Sequence, residues 1–579
     1  MMKKFFKRLA AVAACTITAL TAVACRGVRT ETDSSTKTVL RVKYYNGGVG
    51  RVWIDDAIKQ FEADFANVSF EKGKLGVEVK PEADKQTYAY SKIKNDANNV
   101  YIGVNYNYYQ FASNGVMLDI TDVVKGNALL NATETESKTI ESKITKDRQN
   151  FYNLDGTYYA LPFFESAVNL VYNVDVFESK NYYFAKGRTA EGMAEEDLNN
   201  YEQIADLFVS ESGDERSYGP DGKTGKENGI DYSLDDGLPA TYADFQALLT
   251  LMRNDNTIPF VWSGDTISYL TCFANEVWAN SEGKTQYDYN FTLKGDAENL
   301  LDLNADGSLK FNADGTVKKL GETVTVTPET GYLLHSQKGL YDSLRLVEIM
   351  MSNKNNYYKD SFSGTFKYTD AQDFFINAKD KPETGNNDIA FIVEGSWWNN
   401  EARPKYKSET DRTSKRFAIL PLPKPTAADI GKNNTKISER ESLMFINAAC
   451  PAEKIPVAKK FLSYLQSDAR LNAFTKQTDM LRAMEYEVTQ DTIDGMTYFG
   501  RNNYAISRAK NTEWTDWVPK SAETKKNIAL YDYLVYSFNY GTASSPFSYF
   551  EANANATASE LFAKIYNNSK DTWTVTTVK

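Results

Sequence analysis

Two bends carry the residues best suited to chemistry. At the first, Pro162 is followed by Phe163, Phe164, Glu165 and Ser166; at the second, Glu394, Gly395 and Ser396 lead into Trp397 and Trp398. Aromatic faces set beside a carboxylate and a hydroxyl can stack on a ligand and hydrogen-bond it at once. Tyr45 and Asn46 at a third bend, and Trp278 within TCFANEVW, extend the same kind of surface. Two adjacent tryptophans cannot both point inward on a strand, nor does one helix face bury both well, so Trp397 or Trp398 meets ligand or solvent. Glu165 and Glu394 also make a candidate carboxylate pair. Glycosidic hydrolysis by such a pair requires a fixed separation across the scissile bond. No nucleophile elbow or metal-ligand spacing accompanies them, and the single histidine, His335, cannot by itself serve a triad or a metal site. The residues read as those of a binding protein, not an enzyme, with no cofactor and no metal.

The elements around these bends predict how they are held. An Asp155-Gly156 turn, an aromatic strand over Thr157 to Leu161, Pro162, and an apolar strand over Ala167 to Tyr172 bring the backbone sharply round. The second bend follows an apolar strand over Ile389 to Val393. The third closes a strand over Val39 to Tyr45, where Asn46-Gly47-Gly48 opens onto a helix with Ile54, Ala57, Ile58, Phe61 and Phe65 on one face. A strand over Val77 to Val79 completes a βαβ unit, which implies parallel pairing and a ligand edge at the strands' carboxyl ends, near Tyr45, Asn46 and Trp53. Gly47-Gly48 lacks the third glycine and the acidic residue of a dinucleotide fingerprint. Tyr106, Tyr108 and Tyr109 suit either stacking or packing. Further on, Thr241 and Asp244 stand at capping-box spacing, and Ala458, Phe461, Leu462 and Leu465 form a helical stripe.

Two polar regions, near 186–236 and 290–330, read as surface insertions. The second holds a tandem repeat, NADGSLKF and NADGTVKK, whose Asp-Gly steps signal hairpins. Asp302, Asn304 and Asp306 imitate the start of a calcium loop, but the twelfth position is Ala313 where the bidentate glutamate is expected.

At 579 residues the chain exceeds one ordinary core, so two or more lobes are expected. A net charge of -11 and the lack of a basic face exclude nucleic acid as the main partner. The N-terminus carries Lys3, Lys4, Lys7 and Arg8, then an apolar run from Leu9 to Val23, then Ala22-Val23-Ala24-Cys25. That pattern resembles a bacterial lipoprotein signal (1–24), which implies lipidation of Cys25, a membrane anchor without a span, and a polar tether over 25–38. Cys272 and Cys450 both lie in apolar surroundings and are expected as free thiols.

The order of GTYYALPFFESAVNLVYN, PATYADF, AFIVEGSWW and FAILPLPKP, followed by the Ser442 to Leu465 strand and helix, resembles the extracellular solute-binding proteins of carbohydrate ABC importers. Tyr242 stands where that family usually has tryptophan, and its late Gly-x-x-Pro turn appears here as Thr478 to Arg482. The resemblance implies an α/β, two-lobed periplasmic-binding-protein-like fold, the lobes joined by a hinge of crossing segments. Lobe 1 would take 39–151 with 438–485 returning to it, and lobe 2 would take 152–437, with 486–579 packing mainly on lobe 2. The hinge would pass near Tyr152 to Gly156. It further implies a monomer at the cell membrane that captures a carbohydrate, an oligosaccharide by preference, and delivers it to ABC permease subunits. Tyr45, Phe164, Trp278, Trp397 and Trp398 would stack on the sugar. Asn46, Glu165, Ser166 and Glu394 would bond its hydroxyls, with Arg440 and Glu441 as further candidates. The same fold binding a peptide, polyamine or chelate is the alternative, and a cell-surface glycoside hydrolase is another.

Overall fold

The computed structural model describes residues 34, 36–84, 90–126, 136–211, 213–227, 230–438, 442–521, 524, 538 and 545–573. The signal, Cys25, Arg440 and Glu441 lie outside these. Strand β1 (Thr38–Tyr45) leads through a glycine turn into helix α1 (Val52–Asp64) and back through β2 (Val77–Asp84), parallel to β1. Next come β3 (Val100–Val104), β4 (Leu161–Pro162) and β5 (Val168–Asn173). The middle of the chain supplies α2 (Tyr242–Asn254), β6 (Ile258–Val261), α3 (Ser268–Glu282), α4 (Lys338–Met351), α5 (Tyr368–Asn377), β7 (Ile389–Gly395), β8 (Phe417–Ile419) and β9 (Asn434–Ser438). After these follow β10 (Ser442–Ile446), α6 (Ile455–Tyr464), α7 (Asp468–Thr478), α8 (Tyr498–Ser507), β11 (Thr512–Asp516) and α9 (Ala558–Thr572).

These strands build two principal sheets, and so two α/β lobes. The first has the order β2-β1-β3-β10-β4, and the second β6-β7-β5-β8. β10 runs antiparallel to both β3 and β4, so the strand late in the sequence closes the first lobe. In the second sheet β6 is parallel to β7, while β5 is antiparallel to β7 and to β8. β7 is buried along its whole length, as a strand covered on both faces must be. Alternation along β5 sends Leu170 and Tyr172 to one core and Val171 to another on the opposite face. Thr241 and Asp244 form the reciprocal capping box at the start of α2.

The structure corrects several expectations and bears out the hairpins and the free thiols. β4 belongs to the first sheet, and Tyr152, Tyr158 and Leu161 lie in the first lobe's core. The chain therefore leaves that lobe between Pro162 and Val168, not near Tyr152 to Gly156. Trp53 is enclosed at 5.2 Å from the rings of both Phe163 and Phe474, so it is core. Tyr106 and Tyr108 are likewise packed inside the first lobe, with the Tyr108 hydroxyl donating to the Tyr152 carbonyl at 2.6 Å. The tandem repeat makes two stacked hairpins, through the bridges Leu303 to Leu309 and Phe311 to Val317. Asp302 is taken up by Lys310 and Lys318, at 2.6 and 3.1 Å. Cys272 and Cys450 are unbridged and lie in different lobes.

Candidate functional site: the interlobe contact

Where β1 ends, the Asn46 amide donates to the Asp84 carbonyl at the end of β2 (2.7 Å), which fixes the turn that follows. Gly48 takes φ +46°, a left-handed conformation that glycine adopts without steric cost. The turn reaches across to the short helix Trp398–Glu401 that follows β7. There the Asn400 side-chain amide donates to the Gly48 carbonyl (2.8 Å), and the Gly48 amide donates to Glu401 Oε1 (3.1 Å). A Cβ on residue 48 would lie 2.7 Å from both Cβ and Cγ of Trp397, so contact this close admits only glycine.

Trp397 is the tryptophan at this contact. It is half-buried, packs against the cores of both lobes, and meets Tyr269 edge-on at 5.6 Å. Its indole folds back over Gly395, where a Cβ would come within 2.3 Å of the ring. Beneath it, Gln372 on α5 donates to Glu401 Oε2 (2.9 Å) and to Glu394 Oε1 (3.1 Å). Thus Gly48, Glu401, Gln372 and Glu394 make one polar chain from the first lobe into the second. Tyr45 and Asn46 are both partly exposed beside it, the Tyr45 hydroxyl lying over Gly47.

The remaining expected ligand contacts are buried. Trp398 is fully buried among Phe375, Phe417 and Phe499, with centroids 5.1 to 5.6 Å away. Trp278 is also fully buried, its indole donating to Gln337 Oε1 at 3.1 Å. Neither ring has a free face. Phe164 belongs to the first lobe's core and packs against Phe163 at 4.8 Å. Ser166 is buried in the segment that crosses between the lobes, and Glu394 is enclosed by Gln372 and the Gly395 amide.

Glu165 is the largest correction. It stands midway along the crossing segment 163–167, between Glu165 N donating to the Leu481 carbonyl (3.0 Å) and Ala167 N donating to Ser396 Oγ (2.9 Å). One end of the segment is thus tied to each lobe. Arg148 Nη1 donates to Glu165 Oε1 (2.9 Å), and Arg508 Nη1 to Glu165 Oε2 (2.8 Å). Arg148 also grips Asp516 Oδ1 at the end of β11 with Nε and Nη2 (3.0 and 2.9 Å). Burial alone would raise the Glu165 pKa, but Arg508 and Arg148 outweigh it and hold the carboxyl below its ordinary range. A carboxylate so held carries no proton to donate near neutral pH. Asp479 forms a second tie where α7 ends, accepting from Asn399, Thr497 and Arg412 of the other lobe at 3.1, 2.8 and 3.3 Å.

Sequence reasoning missed Gly48, Asn400, Glu401 and Gln372, as well as the arginines of the hinge. The only local signal was Gly47-Gly48, which reads equally well as an ordinary turn into a helix.

No protein-family model matches this chain, and no curated protein matches it in sequence. Solved structures with a similar fold include the apo form of RafE from Streptococcus pneumoniae, at 12% identity and a TM-score of 0.49, covering 93% of this chain and 100% of that one. They also include the ABC substrate-binding protein Lmo0181 from Listeria monocytogenes in complex with cycloalternan, at 13% identity and a TM-score of 0.49, covering 93% and 99%. A third is a chitin oligosaccharide binding protein, at 12% identity and a TM-score of 0.48, covering 93% and 99%. Identity this low, with TM-scores below 0.5, fixes neither ligand nor function. Among the described residues no helix is long and apolar enough to cross a membrane.

Proposed function

We propose that this protein is a solute-binding protein that holds a neutral carbohydrate, an oligosaccharide by preference, between its two lobes and delivers it to the permease of an ABC importer. Lipidation of Cys25 would hold it at the membrane surface, acting as a monomer and as a binder without catalysis. The observation that carries the reading is Trp397, a partly exposed indole standing where the two lobes meet and packed against both cores. Pyranose rings present C–H faces that lie on aromatic rings, and their hydroxyls bond carboxylates and amides. Trp397 supplies the ring, while Asn46, Asn400 and Glu401 supply the polar groups around it. Lobes joined by crossing segments close around such a ligand by hinge motion. Glu165 acts in this reading as a hinge clamp and not as a sugar acceptor or a catalyst.

The test uses the full chain in detergent and a panel of neutral hexasaccharides (malto-, cello-, xylo-, manno- and chitohexaose), with melting and product formation followed in parallel. A raised melting temperature with no new reducing ends is the expected result. Cleavage of any member would make the protein a hydrolase. Stabilisation only by peptides or polyamines would move the ligand out of the sugars.

A further inference from the structure

We propose that the second lobe carries a separate site for a neutral oligosaccharide, in the groove between the second of the tandem hairpins and α4. The groove encloses about 810 Å³, and all its lining residues lie between Glu191 and Asp429, on the second lobe. That is the size of an ordinary small-ligand pocket.

Tyr242 lines the groove and is only 7% exposed. Its amide donates to the Lys424 carbonyl at 2.9 Å, it is the first residue of α2, inside the capping box, and its ring packs into the second lobe's core. No described residue bonds its hydroxyl. The ring is buried, but the hydroxyl opens on the groove and can bond a polar partner there. Tyr341 of α4 lines the same groove, is partly exposed and is propped edge-on against Phe562 at 6.1 Å, which gives the groove a ring.

Charge decides the class of ligand. Four basic and four acidic side chains line the groove, so it has no net pull on an anion or a cation. The basic groups are also already engaged: Lys318 with Asp302 (3.1 Å), Lys338 with Asp342 (2.6 Å), Lys319 with the Asn299 amide oxygen (2.9 Å), and Arg345 with Glu348. A phosphate or a carboxylate would have to share three of those cations with a carboxylate already beside them. A neutral polyol keeps them, stacks on Tyr341, and hydrogen-bonds the Tyr242 hydroxyl and the spare lone pairs of Asp429 and Asn312. The tip of the second hairpin, at Gly315 and Thr316, forms one wall of the groove. The tandem repeat is thereby given a role in binding, as part of a sugar surface outside the interlobe cleft.

Isothermal titration of the full chain in detergent with the same hexasaccharide panel tests this, using two sets of substitutions. Trp397→Ala weakens the interlobe site by ~10-fold or more, and Tyr242→Phe with Tyr341→Ser removes the groove's hydroxyl and ring while leaving the capping box intact. At least one hexasaccharide is expected to bind the Trp397→Ala protein with unit stoichiometry, and adding the groove substitutions should weaken that binding at least tenfold. Unaltered circular dichroism melting of each variant would show that the fold is kept. If no hexasaccharide binds the Trp397→Ala protein, or if the groove substitutions leave its binding unchanged, the proposal is overturned. Binding to wild type that ignores Trp397→Ala but is abolished by the groove substitutions would leave the groove standing and remove the cleft reading, so the two fail separately.

Discussion

Replacing Gly48 by alanine perturbs the closed arrangement at one atom. The added Cβ would lie 2.7 Å from Trp397 Cβ and Cγ and 2.9 Å from Cδ1, well inside contact distance, but only while the lobes are together. Overpacking of this kind costs about 1–3 kcal/mol. Moving the turn away to relieve it breaks the Asn400 and Glu401 bonds to Gly48, each contributing roughly 1 kcal/mol or more, the carboxylate one at the upper end. The closed state therefore loses about 3 kcal/mol against the open one, which lowers the apparent affinity of any ligand that needs closure by ~100-fold. Within the first lobe the cost is the left-handed backbone of a non-glycine residue, about 1 kcal/mol, so melting should fall by no more than about 4 °C. Small-angle scattering on the full chain in contrast-matched detergent, with and without a bound hexasaccharide, reads the open and closed populations directly. A larger radius of gyration for Gly48→Ala, with near-native melting, is expected. A variant as compact as wild type with undiminished sugar affinity would show that the Gly48 contact does not control closure.

Two further outcomes follow from the hinge and the core. Glu165→Gln should destabilise the fold by about 3–5 kcal/mol in urea unfolding at pH 7, because Arg148 and Arg508 lose a buried partner. Since the Glu165 pKa lies below its ordinary value of 4.5, that contribution is complete above pH 4.5 and is lost as pH falls through the lowered value; a deficit undiminished at strongly acid pH would contradict it. Trp398→Ala should cost about 3–5 kcal/mol of stability while sugar affinity at a permissive temperature stays within a few-fold of wild type. A loss of affinity without a loss of stability would return Trp398 to the ligand.

The parts legible in the sequence are those set by short-range periodicity. The β1–α1–β2 unit, the capping box at Thr241, the hairpins of the tandem repeat and the buried β7 each follow from spacings within a few residues. The bend after Pro162 was legible as a bend but not as a hinge, because what defines it is remote. Glu165 is clamped by groups 17 and 343 residues away, and its local setting gave no sign that both oxygens would be occupied. The tryptophan pair shows the same limit at one-residue resolution. Adjacency implied that one ring would remain accessible, but the choice depended on Phe375, Phe417 and Phe499 gathering around Trp398 and on Gly395 making room for Trp397. Trp278 looked like a candidate by composition alone; the chain's only histidine, His335, 6.0 Å away, helps to enclose it. The Gly48 contact was hidden for the converse reason, since a glycine turn before a helix needs no further explanation until the opposite lobe is seen against it.

The central claim is that a sugar is held at the junction of the lobes against Trp397. Isothermal titration of the full chain, wild type beside Trp397→Ala, with the hexasaccharide that most raises wild-type melting, tests it most directly. Loss of one ring platform should weaken binding at the interlobe site by ~10-fold or more, at about 1–3 kcal/mol for a stacked aromatic contact, with melting of the unliganded protein nearly unchanged. Affinity and stoichiometry identical in the two proteins would contradict the account.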